Sequence, residues 1–119
     1  MQILGVGTDI VEIERIANFC RESSRFQNRV FTEGELEYCR GKVGQHAHLA
    51  ARFAGKEAVA KAFGEAFGWH EVEIYTEESG KPGVRLSGKA AEVAGNRHVL
   101  ISLSHSRDYA TAVAILVGD

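Results

Sequence analysis

The stretch ARFAGKEAVAKAF, Ala51 to Phe63, is the pivot of the chain. It lies inside a longer helical pattern that runs from about His48 to Phe67 and ends near Gly68. On a wheel at about 100° per residue, Leu49, Phe53, Ala60, Phe63 and Phe67 gather into one apolar stripe, with Val59 at its margin. Ala50, Ala54 and Ala58 make a second face, small enough for another backbone to approach closely. Glu57, Lys61 and Gly64 fall on the edge between the two faces, and Lys56 lies within the aromatic stripe. Charged side chains are rarely fully buried without a partner. The three charges therefore either occupy a wet edge or are presented to a charged ligand.

On the N-terminal side of this helix the pattern is mostly helical. ILGVGTDIVEI, Ile3 to Ile13, starts as an apolar strand with two glycines. From about Glu12 the residues Ile13, Ile16, Ala17 and Cys20 take helical spacing. SSRFQNRVF reads as a polar, basic connection, and Thr32 with Glu35 is a capping-box signature opening a short helix toward Cys39. GKVGQ breaks that helix. On the C-terminal side the period switches to two. EVEIYTE alternates, SGKPG is a turn, and VRL is a short return strand. GKAAEVAGN is a short helix, and HVLISLSHS and YATAVAILV are two further strands joined near Arg107 and Asp108. Helices first and strands later predict an α+β fold, a small antiparallel sheet packed against helices.

The chain has 119 residues, enough for one ordinary domain that buries roughly two thirds of its unfolded surface. It is 45% hydrophobic and 25% charged with one Pro, a globular composition rather than a disordered one. A net charge of −2 argues against a general nucleic-acid or membrane binder while leaving room for a local basic patch. No apolar run approaches the roughly 20 residues a bilayer span needs. Cys20 and Cys39 form no CxxC pair. With no secretory signal at the N-terminus, they read as reduced thiols in a cytoplasmic protein.

Two readings of the charged helix compete. In one, Glu57 and Lys61 are an i,i+4 surface pair worth roughly 0.2–0.5 kcal/mol. In the other, the small and apolar neighbours place the pair at a buried border, where a carboxylate ligates Mg²⁺ and an ammonium neutralises phosphate oxygens. GVGTDI, Gly5 to Ile10, supplies a possible second carboxylate. Gly5, Gly7 and Asp9 point to the same face of a strand, and the two missing side chains leave space for a bulky group. Equally, Asp9 with Glu12 fits an N-cap and capping box for the next helix. The stretch lacks the third glycine of GxGxxG and the GK[ST] of a P-loop.

GVGTDIVEIERI, RFAGKEAVAKAFG and SLSHSRDYATAVAI together resemble the bacterial holo-acyl-carrier-protein synthases, the short class of 4′-phosphopantetheinyl transferases. RFQNRVFTEGEL and SGKPGVRL lie where that family carries similar segments, so the likeness spans essentially the whole chain. It implies transfer of phosphopantetheine from coenzyme A to a serine of apo acyl carrier protein, with release of adenosine 3′,5′-bisphosphate. By position, Asp9 and Glu57 would ligate Mg²⁺, and Lys61 would contact the phosphates and help the leaving group. Arg52, His105 and Ser106 match positions associated with the nucleotide and its 3′-phosphate. Gly64 lies beside Lys61 on the same edge, and Lys81 and Pro82 belong to the GKP turn that the family places near adenine. Either a metal-bound water or a carboxylate near the metal would take the serine proton.

Arg15, Arg21, Arg25 and Arg29 concentrate basic charge in the first quarter of the chain. Interspersed Glu12, Glu14 and Glu22 allow a plain solvated surface. Under the resemblance, Arg15, Arg25 and Arg29, with Phe26 as an apolar contact, would grip the acidic carrier protein. The family also implies a homotrimer with active sites shared between neighbours. The rival reading is a non-catalytic oligomeric module that binds a nucleotide for regulation, with Asp9 as a cap and Glu57–Lys61 as a surface pair. A divalent-metal hydrolase of nucleotides would use the same residues, with water in the serine's role. His105, following an apolar strand, is otherwise a structural histidine. His46, His48, His70 and His98 show no metal-ligand spacing.

Overall fold

The computed structural model describes residues 1–119. The element order is β1 (Gln2–Glu12), α1 (Ile13–Glu22), α2 (Ser24–Val30), α3 (Glu33–Arg40), α4 (Gln45–Phe63), a 3-10 turn (Trp69–Glu71), β2 (Val72–Thr76), β3 (Pro82–Leu86), α5 (Gly88–Ala94), β4 (His98–His105) and β5 (Tyr109–Gly118). The strands form two antiparallel sheets, β1-β5-β4 and the hairpin β2-β3, beside the helices. The α+β expectation holds. The first and last strands meet in one antiparallel ladder, from Gln2↔Gly118, 116 positions apart, to Glu12↔Tyr109, 97 apart.

Helix α4 is the axis of the molecule, with Leu49, Ala50, Ala54, Ala58 and Val59 all buried against its neighbours. The small-residue face does what its composition suggests and receives another backbone, that of β1. A Cβ on Gly5 would lie 2.0 Å from the Ala62 carbonyl oxygen, and one on Gly7 would lie 1.9 Å from that of Ala58. The bulky group accommodated by the two glycines is thus the chain's own helix.

Three local expectations need correction. Helix α4 stops at Phe63, because Gly64 takes the left-handed conformation (φ 81°) and its N–H bonds back to the Ala60 carbonyl. Phe67 lies beyond the helix and meets Phe63 edge-on at 5.2 Å. SSRFQNRVF holds a short helix, α2, whose N-cap is Ser23; its hydroxyl accepts the Arg25 N–H. Arg21 belongs to α1, and Arg25 and Arg29 to α2. Asp9 caps nothing: β1 continues to Glu12, and α1 has no side-chain cap. The capping box at Thr32 and Glu35, by contrast, is fully formed.

The buried charge on α4 has a specific solution. Lys56, 3% exposed, pairs at 2.9 Å with Glu35, which is 1% exposed. Its ammonium also donates to the carbonyls of Trp69 (2.8 Å) and Val72 (2.5 Å). Glu35 in turn accepts the N–H groups of Thr32 (2.8 Å) and Ile74 (2.7 Å). Every polar group here is satisfied, the condition under which a buried ion pair is tolerated. Burial lowers the affinity of Lys56 for its proton and Glu35 opposes that effect. Neither the wet edge nor the ligand-facing reading applies to Lys56; it ties α3, α4 and β2 together.

Candidate active site

Strand β1 and the C-terminal half of α4 bring Asp9, Glu57 and Lys61 to one edge. The Lys61 ammonium is 3.2 Å from the Asp9 carboxylate and donates to the Thr8 carbonyl at 2.9 Å. The expected ion pair of Lys61 with Glu57 is not formed; Lys61 turns toward the strand, where a carboxylate and a carbonyl both accept from it. Glu57 therefore has no ion-pair partner of its own. Burial pushes its carboxyl above the usual carboxylate range, the Asp9 charge pushes further in the same direction, and Lys61 pulls it back. Two carboxylates with one ammonium leave an excess of negative charge on a partly desolvated edge. Such a donor set suits a hard divalent cation, and Mg²⁺ is commonly held by one or two carboxylates. Gly64 closes the same helix end with open space around its Cα.

A second, cationic pocket opens nearer the start of α4. By helix rise, Arg52 and Lys61 are about 14 Å apart along the axis. A hollow of about 180 Å³ is lined by Tyr38, His48, Arg52, Thr76, Pro82 and His105, among others. Arg52 is only 4% exposed and forms no ion pair with any acid. Its guanidinium donates to the Thr76 hydroxyl (2.8 Å) and the His48 carbonyl (3.3 Å), and lies 4.7 Å above the Tyr38 ring. Its Nε is buried with no hydrogen-bond partner. A buried cation lacking a counter-charge is costly unless an anion completes it.

Of the other predicted residues, Pro82 borders this hollow, whereas Lys81 lines the adjoining one of about 530 Å³ between the hairpin, α5 and β4. Ser106 sits in the β4–β5 turn, where its N–H bonds to the Tyr109 carbonyl at 2.8 Å. Arg15, Arg25 and Arg29 are exposed and free of ion pairs, whereas Arg21 is held by Glu14 at 2.9 Å. Phe26 keeps part of its surface accessible. It is half-buried in an aromatic row with Phe19 (5.1 Å) and Phe53 (6.5 Å), and Phe53 stacks on Trp69 at 5.3 Å.

Sequence reasoning missed Tyr38 and Thr76 as lining residues, since they come from two other elements with no spacing signal, and missed His48, although it precedes Arg52 by one helical turn on α4. It also read Glu35 only as a cap, although an unexplained lysine in an apolar stripe was a sign that a buried acid existed elsewhere. Cys20 and Cys39 are buried free thiols. Burial raises both, Cys39 to about 11, which keeps them protonated and unreactive at neutral pH.

The family model described as the 4′-phosphopantetheinyl transferase superfamily matches residues 5–114. A holo-[acyl-carrier-protein] synthase of Protochlamydia amoebophila is 47% identical over 117 residues, 94% of this chain and 96% of its own. The holo-ACP-synthase of Plasmodium yoelii superposes with a TM-score of 0.87 at 31% identity, covering 99% of this chain and 97% of that one. The Bacillus anthracis holo-(acyl-carrier-protein) synthase, solved in complex with CoA (3′,5′-ADP), gives a TM-score of 0.82 at 31% identity with both chains fully covered. The chain therefore belongs to the 4′-phosphopantetheinyl transferase superfamily, and within it to the holo-[acyl-carrier-protein] synthases. It is accordingly a transferase.

Proposed function

We propose that this chain moves the 4′-phosphopantetheine group of coenzyme A onto a serine hydroxyl of an acidic acyl carrier protein, in a Mg²⁺-dependent reaction. The serine oxygen forms a bond to the β-phosphorus of coenzyme A as the bond to the bridging oxygen breaks. The serine proton passes to a carboxylate at the site or to a water beside it, and adenosine 3′,5′-bisphosphate leaves. The coenzyme A complexes of relatives support the donor. The observation that carries the reading is the convergence of Asp9, Glu57 and Lys61 on one edge, with carboxylate charge in excess.

Phosphoryl transfer depends on positioning and charge neutralisation more than on covalent help. Asp9 and Glu57 hold Mg²⁺, which when bound neutralises pyrophosphate oxygens. Lys61, anchored by Asp9 and Thr8, extends its ammonium toward the same oxygens and stabilises the departing charge. Gly64 leaves the helix end open beside them. Arg52, His105 and Ser106 take the nucleotide's 3′-phosphate, and Lys81 and Pro82 border the adenine. Arg15, Arg25 and Arg29 attract the acidic carrier protein, with Phe26 as an apolar contact beside them.

The chain acts as one cytoplasmic domain and assembles as a homotrimer that shares active sites between neighbours. Support for assembly comes from the outer face of the three-stranded sheet. Val6, Ile10, Leu100 and Val113 point away from α4 and are 57%, 63%, 52% and 39% exposed. Val6 and Leu100 flank Ile115 in register, making one apolar row across the three strands, while Val113 is paired with Thr8 and Ser102 and Ile10 with Thr111 on the same face. A patch of this kind on one face is the mark of an interface. No helix is long and apolar enough to cross a membrane.

The test is intact mass spectrometry of an apo acyl carrier protein incubated with this protein, coenzyme A and Mg²⁺. Gain of one phosphopantetheine, abolished by EDTA and by Glu57→Gln, is the expected outcome. No gain with several carrier proteins would favour the regulatory nucleotide-binding module instead. Consumption of coenzyme A without carrier protein would indicate a hydrolase.

A further inference from the structure

His48 shares the cationic pocket with Arg52, and its surroundings carry only one sign of charge. Its ring lies 5.6 Å from that of His105, edge-on at 69°, and 6.1 Å from the Tyr38 ring. The groups that face it are Arg52 from its own helix, Lys42 from the turn before α4, His105 from β4 and the neutral phenol of Tyr38 from α3. Lys42 and Arg52 both lie over the Tyr38 ring at 4.7 Å. No carboxylate borders the hollow.

We propose that His48 is a specificity-determining residue of this pocket, taking up a proton as a phosphate dianion enters and so linking preference for a 3′-phosphorylated nucleotide to pH. The inference rests on the coenzyme A reading above and deepens it. In the free pocket, burial and the neighbouring cations hold the imidazole below its ordinary value, burial having the largest effect. It is therefore a neutral side chain at pH 7. A phosphate seated against the buried Arg52 guanidinium, whose Nε still has a hydrogen bond to give, reverses the local field. The imidazolium then becomes the favoured form, and a charge-assisted hydrogen bond to the phosphate is gained. The pocket avoids assembling too many cations when empty and completes them only around the correct anion. A ligand lacking the 3′-phosphate supplies no such reversal.

The sign follows from linkage: a ligand that raises a group's proton affinity binds more tightly as pH falls through the window between the free and bound values. That window opens below His48's ordinary value of 6.5, because burial and the neighbouring cations lower the free imidazole. The experiment is isothermal titration of adenosine 3′,5′-bisphosphate and of adenosine 5′-monophosphate, each in two buffers of different ionisation heat, at pH 6.5 and pH 8. At pH 6.5 the bisphosphate should take up more protons than the monophosphate. His48→Gln should abolish most of that difference and weaken the bisphosphate about ten- to a hundredfold, the range expected for one charge-assisted hydrogen bond, while sparing the monophosphate. His48→Lys, which keeps a fixed cation, should retain bisphosphate affinity without the proton uptake. Equal uptake in wild type and His48→Gln, or equal weakening of both nucleotides, overturns the assignment to His48 and leaves the transferase reading standing. Failure of the bisphosphate to bind the wild-type protein overturns both.

Discussion

Gly7 faces Ala58 so closely that a single added carbon would sit 1.9 Å from the Ala58 carbonyl oxygen and 2.9 Å from the Lys61 Cβ. Two residues further along β1 is Asp9, on the same side of the strand as Gly7, and Lys61 reaches it across this contact. The absence of a side chain at Gly7 thus sets how near the strand's carboxylate comes to the helix's carboxylate and ammonium.

Gly7→Ala should therefore act on both stability and activity. The clash is with backbone, which cannot rotate away, so the strand and helix must separate. Overpacking of this kind costs about 1–3 kcal/mol. We expect a lower urea midpoint together with a fall in turnover larger than the loss of folded protein accounts for. An active variant of wild-type turnover would detach the close approach from the chemistry.

Glu57→Gln should remove transfer, by about a hundredfold or more in turnover if the carboxylate holds the metal. Its effect on folding should run the other way. The folded-state carboxyl is raised above its ordinary value, so the folded chain favours the protonated form. The stability this contributes is complete below the ordinary value of 4.5 and disappears as pH rises through the folded value. At pH 7 without divalent metal the ionised Glu57 opposes folding, and the Gln variant should melt at the same temperature or higher. Adding Mg²⁺ should raise the melting temperature of wild type and leave Glu57→Gln unmoved. Equal shifts in both proteins would argue against Glu57 as a ligand.

Lys56→Met should be among the most damaging single changes on α4, because it leaves Glu35 as a buried, unpaired carboxylate. Such losses cost about 3–5 kcal/mol. Lys56→Met combined with Glu35→Gln removes the stranded charge while an amide oxygen remains for Thr32 or Ile74. The pair should recover a substantial part of the loss in urea denaturation. Additive effects of the two changes would mean that the ion pair is not the unit of stability here.

Arg15→Glu should raise KM for the carrier protein about three- to tenfold and leave coenzyme A binding untouched, since an exposed rim charge acts mainly on encounter. The difference from wild type should shrink as salt is raised. Equal kinetics toward the carrier protein in the variant would remove Arg15 from the docking surface.

Ile10→Asp and Val113→Lys place charge on the exposed apolar sheet face and should disperse the assembly. Sedimentation equilibrium should report three chains per particle for wild type and fewer for each variant. A wild-type mass of 13.0 kDa, that of one chain, would refute the trimer outright.

Much of the molecule was legible as a sequence because the informative signals are local. The capping box at Thr32 and Glu35, the alternation before Thr76, the hairpin turn at Gly80 and the β4–β5 turn all fall where spacing and turn chemistry place them. Helix α4 ran four residues too long in the sequence reading, since Phe67 continued the apolar period. Only the left-handed conformation at Gly64 shows where the backbone turned away.

What the sequence determined by itself is most of the elements, the α+β class and the family, because periodicity, caps and motifs depend on residues near one another along the chain; helix α2 and the strand order β1-β5-β4 came only with the structure. The tertiary structure alone decided the partners of the charges. Lys56 found Glu35, 21 positions earlier, and Lys61 left Glu57 for Asp9, 52 positions earlier. Arg52 was left without an acid, one helical turn after His48 and facing His105 from β4. Electrostatic pairing acts through space and rewards proximity after folding, so residues with ordinary sequence contexts acquire distinct chemistry only once β1, α3 and β4 pack around one helix.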